Sequence, residues 1–201
     1  MITIHFLPAS DFPAFGITST SLVSRAFLEL GITDLRTAAL FIQSKPYWKN
    51  ADDHDALALL REGHGTCISK HNLLAELARE NGLPVFRFEG VYPLNDTIVT
   101  GVSEVVKKHG LQEIPRTHCF LEFCGKYFDL TDGNCTGKNG LITQYFRIEK
   151  VQVDSGNQVL LRFWQDLRTV DPTIKNLSDE DFLRIAKECS EYNFGLCKFA
   201  P

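Results

Sequence analysis

The segment Gly63-His-Gly-Thr-Cys67-Ile-Ser-Lys-His71 joins a glycine-flanked turn to a run with helical periodicity. Its apolar spacing predicts a helix from Thr66 or Cys67 to Asn81, and Gly82 suits the left-handed position after it. A helix start presents unpaired backbone N–H groups and a positive dipole end, which together stabilise a thiolate. Cys67 is therefore a candidate nucleophile. The alternative from local context is a small buried core residue.

A predicted β-hairpin further along the chain carries a histidine and a carboxylate. His118 lies near the start of the strand Thr117–Phe123, and Asp129 lies in the strand Lys126–Leu130. The tight turn between these strands makes the two residues approximate cross-strand neighbours. A thiolate nucleophile needs a base, and that base needs a group that orients it. His118 and Asp129 are the candidates for these roles, and Asp132 is the alternative for the second.

The remaining pattern places helices before strands, which predicts an α+β fold. We expect one domain over residues 1–201, with a core of about 20–150 and extensions at both ends. In it, N-terminal helices, one of which starts at the cysteine, pack on an antiparallel sheet. Further predicted helices are Thr20–Leu30, Asp34–Ile42, Asp53–Arg61, Thr100–His109 and Ser178–Ser190, and further predicted strands are 1–8, 85–92, 141–153 and 158–163.

Composition excludes several classes of protein. The chain has 201 residues, of which 44% are hydrophobic and 23% charged, so it is neither disordered nor fibrous. The formal net charge is −4, so the chain lacks the excess of basic residues that binding to nucleic acid or an anionic membrane requires. The N-terminus has no secretory pattern and no run approaches a membrane span, so we expect a cytoplasmic protein with six reduced cysteines.

Three blocks of this sequence resemble the transglutaminase-like superfamily. They extend over about residues 36–131. The blocks are Gly65-Thr-Cys67-Ile-Ser-Lys-His71, then Leu77-Ala-Arg-Glu-Asn-Gly-Leu-Pro84 with Phe88-Glu-Gly90, and finally Thr117-His118-Cys-Phe-Leu-Glu122 with Gly125-Lys-Tyr-Phe-Asp129-Leu-Thr131.

The resemblance implies a papain-like fold with a Cys-His-Asp triad. Cys67 would be the nucleophile, His118 the base and Asp129 the group that orients it. Phe120 and Tyr127 stand where the family usually has tryptophan, and both keep an aromatic ring at the position.

An oxyanion intermediate needs hydrogen-bond donors beside the nucleophile. The backbone N–H of Cys67 supplies one. In enzymes of this type a second comes from an upstream side chain, for which Gln43, Tyr47 and Trp48 are candidates, with Tyr47 or Trp48 preferred. His64 is placed at the mouth of the cleft.

No metal or cofactor is predicted. Cys119, Cys124 and Cys135 lack the paired knuckles of a structural zinc site. The loop beginning at Asp132 imitates the opening of a calcium loop without the bidentate glutamate that must close it. We assign Cys119 and His71 to the core.

The sequence thus predicts a cysteine-dependent hydrolase, an amidase or peptidase that acts on a peptide or amide through a thioester. Acyl transfer to an amine uses the same chemistry and is the first alternative. A non-catalytic binding module on the same fold and a metal-binding regulatory domain are the others.

Overall fold

The computed structural model describes residues 1–53, 55–151 and 158–197. Within these ranges, no helix is long and apolar enough to cross a membrane. In chain order the elements are β1 (Ile2–Thr3), β2 (Phe6–Leu7), α1 (Leu22–Glu29), α2 (Leu35–Ser44), α3 (Ala58–Glu62), α4 (Cys67–Glu80), β3 (Val85–Leu94), α5 (Val102–Lys107), β4 (Ile114–Phe123), β5 (Lys126–Phe128), β6 (Gln144–Tyr145), β7 (Arg147–Val151), α6 (Gln158–Val170) and α7 (Asp179–Leu196).

The central sheet has five strands in the order β2-β5-β4-β3-β7. Strands β3 and β4 are antiparallel over ten residues each, from the pair Val85–Phe123 to the pair Leu94–Ile114. The β-hairpin predicted between β4 and β5 is present. The expectation of a purely antiparallel sheet is wrong at one edge, because β2 runs parallel to β5 and the sheet is mixed.

Helices cover both faces of this sheet. On one face α1, α2 and α4 pack against Leu121 and Phe128. On the other face α5, α6 and α7 pack against Val91 and Phe120. Phe120 and Leu121 are neighbours in β4 and enter different cores because successive strand residues point to opposite faces. The α+β class is therefore confirmed, with the sheet enclosed between helices.

Two helix starts follow from their capping residues. The Asp34 carboxylate accepts a hydrogen bond from the Thr37 N–H at 2.9 Å and caps α2. The Ser178 hydroxyl accepts one from the Asp181 N–H at 3.0 Å and caps α7. Because short polar side chains at these positions satisfy otherwise unpaired N–H groups, the local sequence was enough to locate both starts.

The predicted strand at 158–163 is wrong, because this segment begins helix α6. Val159, Leu160 and Trp164 are its buried residues, and their spacing fits one face of a helix. Six residues are too few to separate this period from a buried strand. The predicted strand 141–153 is divided into β6 and β7, and its residues 152 and 153 lie outside the described residues.

The predicted helix Asp53–Arg61 is shorter in the structure, where α3 spans Ala58–Glu62. Residue 54, inside the predicted range, lies outside the described residues.

Gly90 gives a test of the packing inside this sheet. A Cβ atom there would lie 2.2 Å from the ring of buried Tyr145. We expect Gly90→Ala to lower the free energy of unfolding by about 1–3 kcal/mol, because the ring must move within a packed core. Urea unfolding measures this. Gly140→Ala is the control, since its Cβ would have no neighbour within 4 Å. Equal stability of both variants would contradict the packing.

Candidate active site

Cys67 is the first residue of α4 and lines a cavity. The turn before it packs closely. A Cβ on Gly65 would lie 2.5 Å from Ser69 Oγ and 2.8 Å from Leu59 Cδ1. Because Cys67 is the first residue of α4, its thiol lies at the end of the helix where backbone N–H groups lack intrahelical partners.

His118 and Asp129 form a buried pair. His118 Nε2 lies 2.7 Å from Asp129 Oδ2. Asp129 Oδ1 accepts hydrogen bonds from the Thr131 N–H at 2.9 Å and the Thr131 hydroxyl at 2.7 Å. Burial alone would raise the pKa of Asp129, but the adjacent His118 charge and these hydrogen bonds hold that pKa well below its usual range. Asp129 is therefore ionised, with both oxygens occupied.

The Asp129 carboxylate favours the protonated form of His118. Burial opposes its charge, yet the Asp129 carboxylate raises the pKa of His118 to about 8. Among the described residues, Nδ1 has no partner that meets hydrogen-bond geometry. The Cys67 thiol also helps to raise the pKa of His118. Because Asp129 occupies Nε2, Nδ1 is the ring nitrogen left for the sulfur.

Cys67 favours the thiolate form. A polar contact from the Cys119 thiol lowers the pKa of Cys67 most, and together with contact from His118 and the charge of Lys138 it outweighs burial. Burial and the Cys67 charge raise the pKa of Tyr47 well above its usual value, so its hydroxyl stays protonated beside the sulfur.

Cys119 is buried, as the sequence predicted, but it was assigned to the core and its contact with Cys67 was missed. Alternation along β4 predicts that Cys119 and His118 point to opposite faces. Strand alternation alone does not predict that Cys119 and His118 both reach Cys67, because the sequence does not show where the start of α4 lies relative to β4.

Of the four residues predicted as a second oxyanion donor or at the cleft mouth, Tyr47 lines the cavity. The other three lie outside its described lining. They contact other groups: Trp48 the Phe194 ring at 5.7 Å, Gln43 Nε2 the Asp132 carbonyl oxygen at 3.2 Å, and His64 Nε2 the Glu62 Oε2 at 3.3 Å.

His71 is a neutral structural histidine. Its Nε2 accepts a hydrogen bond from the Leu130 N–H at 2.8 Å, and its Nδ1 lies 2.6 Å from the Cys67 carbonyl oxygen, to which it donates. Burial lowers the pKa of His71 to about 4. Its 3.5 Å approach to Asp129 is therefore no ion pair at neutral pH. His71 ties the start of α4 to the chain that follows Asp129.

Lys70 holds the end of α2 against α4. Its side chain is fully buried, and Nζ donates to the carbonyl oxygens of Ile42 at 3.0 Å, Gln43 at 3.1 Å and Lys45 at 2.5 Å. The last carbonyls of a helix lack partners and attract positive charge. Lys70 thus fixes the chain two residues before Tyr47. Burial lowers the pKa of Lys70 to about 7.

The cavity beside Cys67 has a volume of about 370 Å³. Helix α7, near the end of the chain, contributes Cys189, Ser190, Asn193 and Phe194 to its wall. The Thr66 hydroxyl is buried in the wall with no hydrogen-bond partner among the described residues. The cavity therefore provides space next to the sulfur for part of a small ligand.

The residues considered for zinc are dispersed. Cys119 is buried, whereas Cys124 and Cys135 are exposed. In the part of the chain that the structure describes, no group of three or more His, Cys, Asp or Glu side chains is arranged to hold a metal ion.

Comparison with known proteins identifies the family. A family model described as the transglutaminase-like superfamily matches residues 34–134, half of the chain. The matched range contains Cys67, His118 and Asp129. No curated protein and no solved structure matches the chain.

Proposed function

Because the chain belongs to the transglutaminase-like superfamily, whose members are typically cysteine enzymes, we propose that it is a cysteine-dependent amidase or peptidase. Cys67 is the nucleophile, His118 the acid and base, and Asp129 the group that orients His118. The observation that carries the proposal is the position of His118, with Nε2 held by Asp129 and Nδ1 left for the thiol at a helix start.

The reaction has two steps. In the first, the Cys67 thiolate attacks the amide carbonyl carbon, and imidazolium His118 donates its proton to the leaving amine as the C–N bond breaks. In the second, His118 takes a proton from water, and the resulting hydroxide attacks the thioester. The carboxylic acid leaves and the thiolate is restored. The Cys67 backbone N–H and the Tyr47 hydroxyl are the proposed oxyanion donors.

The same thioester can pass to an amine instead of water. The triad is identical for both outcomes, so the acceptor is decided by what reaches the cavity. Mass analysis of products with and without an added primary amine separates hydrolysis from transfer. Helix α7 lies beyond the matched range and lines the cavity, which supports our expectation that the whole chain forms one domain.

The thiolate can be tested without a substrate. We expect iodoacetamide to alkylate Cys67 below about pH 7 faster than it alkylates exposed Cys124, because the lowered pKa of Cys67 keeps its thiolate form populated there. The pH dependence of labelling at each cysteine, followed by peptide mass spectrometry, measures this. If Cys67 instead titrates like an ordinary thiol, the proposed hydrolase is wrong and a binding module is favoured.

A further inference from the structure

The cavity beside Cys67 carries an excess of positive charge. Its charged lining residues are four basic and two acidic, although the whole chain has a net charge of −4. A cleft whose sign opposes that of the surrounding protein concentrates ligands of the other sign. The charged lining residues are Lys49, Arg87, Arg116 and Lys138, with Asp53 and Glu89.

Part of this charge is already neutralised inside the wall. Arg87 and Glu89 form a buried ion pair at 2.9 Å, and Arg87 also donates to Asn72 Oδ1 at 2.8 Å. The hydrogen bond from Arg87 to Asn72 joins β3 to α4, because Asn72 lies on that helix. The two charges of the ion pair cancel and leave little for a ligand.

Lys138 and Arg116 are different. Among the described residues, neither forms an ion pair within 4.0 Å. The Arg116 guanidinium donates to the Ser190 hydroxyl at 2.5 Å, which is a neutral partner. Lys138 Nζ lies 5.8 Å from the centre of the Tyr47 ring and 5.9 Å from that of Tyr92. Aromatic faces hold a cation in place without removing its charge.

Lys138 and Cys67 line the same cavity and share Tyr47 as a neighbour. Tyr47 packs with Cys67, and its ring centre lies 5.8 Å from Lys138 Nζ. An anion bound at Lys138 would therefore share the cavity with a carbonyl carbon placed at Cys67.

We propose that the substrate is an anionic amide, with a carboxylate that Lys138 and Arg116 bind in the cavity that also holds the scissile carbonyl. This substrate class rests on the proposed function, because the Cys67 sulfur must be the atom that attacks the amide carbonyl. Carboxylates pair well with both cations. The carboxylate comes either from the C-terminus of a short peptide or from an acidic side chain.

Two alkylating reagents test the charge preference directly. Iodoacetate and iodoacetamide both lose iodide to a thiolate, but only iodoacetate is anionic at about pH 8, where ordinary exposed thiols also react. We expect the ratio of the iodoacetate to the iodoacetamide rate to be higher at Cys67 than at exposed Cys124. We expect Lys138→Gln to lower that ratio at Cys67 about fivefold, the order given by one charge several ångströms away. The ratio cancels any change in the amount of thiolate.

Lys126→Gln is the matched control, because Lys126 is exposed in β5 and lies outside the described cavity lining. Lys126→Gln should leave the iodoacetate-to-iodoacetamide rate ratio at Cys67 unchanged. About 0.5 M salt should reduce this ratio at Cys67 in the wild type. An equal ratio at Cys67 and Cys124, or no effect of Lys138→Gln, overturns the anionic substrate. Slow labelling of Cys67 by both reagents defeats the proposed function, while the ratio still decides the charge preference.

Short amides separate the two sources of the carboxylate. N-acetylalanine carries a terminal carboxylate, N-acetylaspartate α-amide an acidic side chain, and N-acetylalanine amide no charge. We expect one anionic amide to protect Cys67 from iodoacetamide at lower concentration than the neutral amide does, and the better one identifies the source. Equal protection by all three would overturn the proposal.

Discussion

Replacing His118 by alanine is expected to slow alkylation of Cys67 at about pH 6.5 by 10- to 100-fold. An ordinary thiol with a pKa of about 8.5 is only about 1% thiolate at that pH. In the wild type, the imidazolium, whose pKa is raised to about 8, favours the charged sulfur. The helix start and the Cys119 contact still stabilise the thiolate in the variant. The lower end of the expected range, an about 10-fold slower rate, therefore corresponds to less than the roughly 100-fold loss of an ordinary thiol.

The pH dependence distinguishes this effect from general damage. Above about pH 9 the thiol ionises without His118, so the rates of wild type and variant should converge. His109→Ala is the matched control, since His109 pairs with Glu188 at 2.9 Å and lies outside the described cavity lining. An unchanged rate at Cys67 in His118→Ala would show that no thiolate–imidazolium pair exists.

The second large effect is expected at Lys70. We expect Lys70→Met to lower the free energy of unfolding by about 2–4 kcal/mol, because three hydrogen bonds to carbonyl oxygens are lost at about 0.5–1.5 kcal/mol each. Methionine keeps most of the volume, so little of the loss comes from a cavity. Urea unfolding measures the change, with Lys126→Met as the exposed control.

The effect of this substitution should depend on pH. Burial lowers the pKa of Lys70 from 10.5 to about 7, so the unfolded chain binds more protons than the folded one between these values. Wild-type stability from this group therefore rises as pH rises through that window and is lost as pH falls through it. Lys70→Met lacks this slope. A difference between the two proteins that is constant from about pH 7 to 10 would contradict the burial of the amine.

Local signals in the sequence located the parts of the fold that depend on neighbouring residues. Asp34 and Ser178 cap the helices predicted after them, and Cys67 begins α4 as predicted. The hairpin of β4 and β5 followed from alternation and a tight turn. Each of these features is decided within about a dozen residues, which is the range over which propensity and capping act.

Other features depend on contacts between distant segments. No local pattern indicates that α7 lines the cavity of Cys67 or that Cys119 contacts the thiol. Lys138 was likewise missed, since the loop that carries it has no periodicity. Its role depends on two tyrosine rings from other parts of the chain.

The burial of Lys70 has a signal in the sequence. Lys70 shares the apolar face of α4 with Leu73, Leu74 and Leu77, which follow it at helical spacing. A lysine on such a stripe is almost never buried unless its charge is paired or hydrogen-bonded. The sequence could therefore have predicted a buried ammonium group, although not the carbonyl groups of α2 that accept from it.

The pairing of the first strands with later ones determines when the N-terminal segment can fold during synthesis. β2 pairs with β5, where Phe6 faces Tyr127, and β1 pairs with β6, where Ile2 faces Tyr145. Ribosomes add roughly 5–20 residues per second, so the first strands wait roughly 6–24 seconds for the partner strand β5 to be synthesised. Loop closure over such a distance is slow as well. The N-terminal strands therefore cannot pair until β5 and β6 have been synthesised, and a chain stopped before β5 leaves them unpaired.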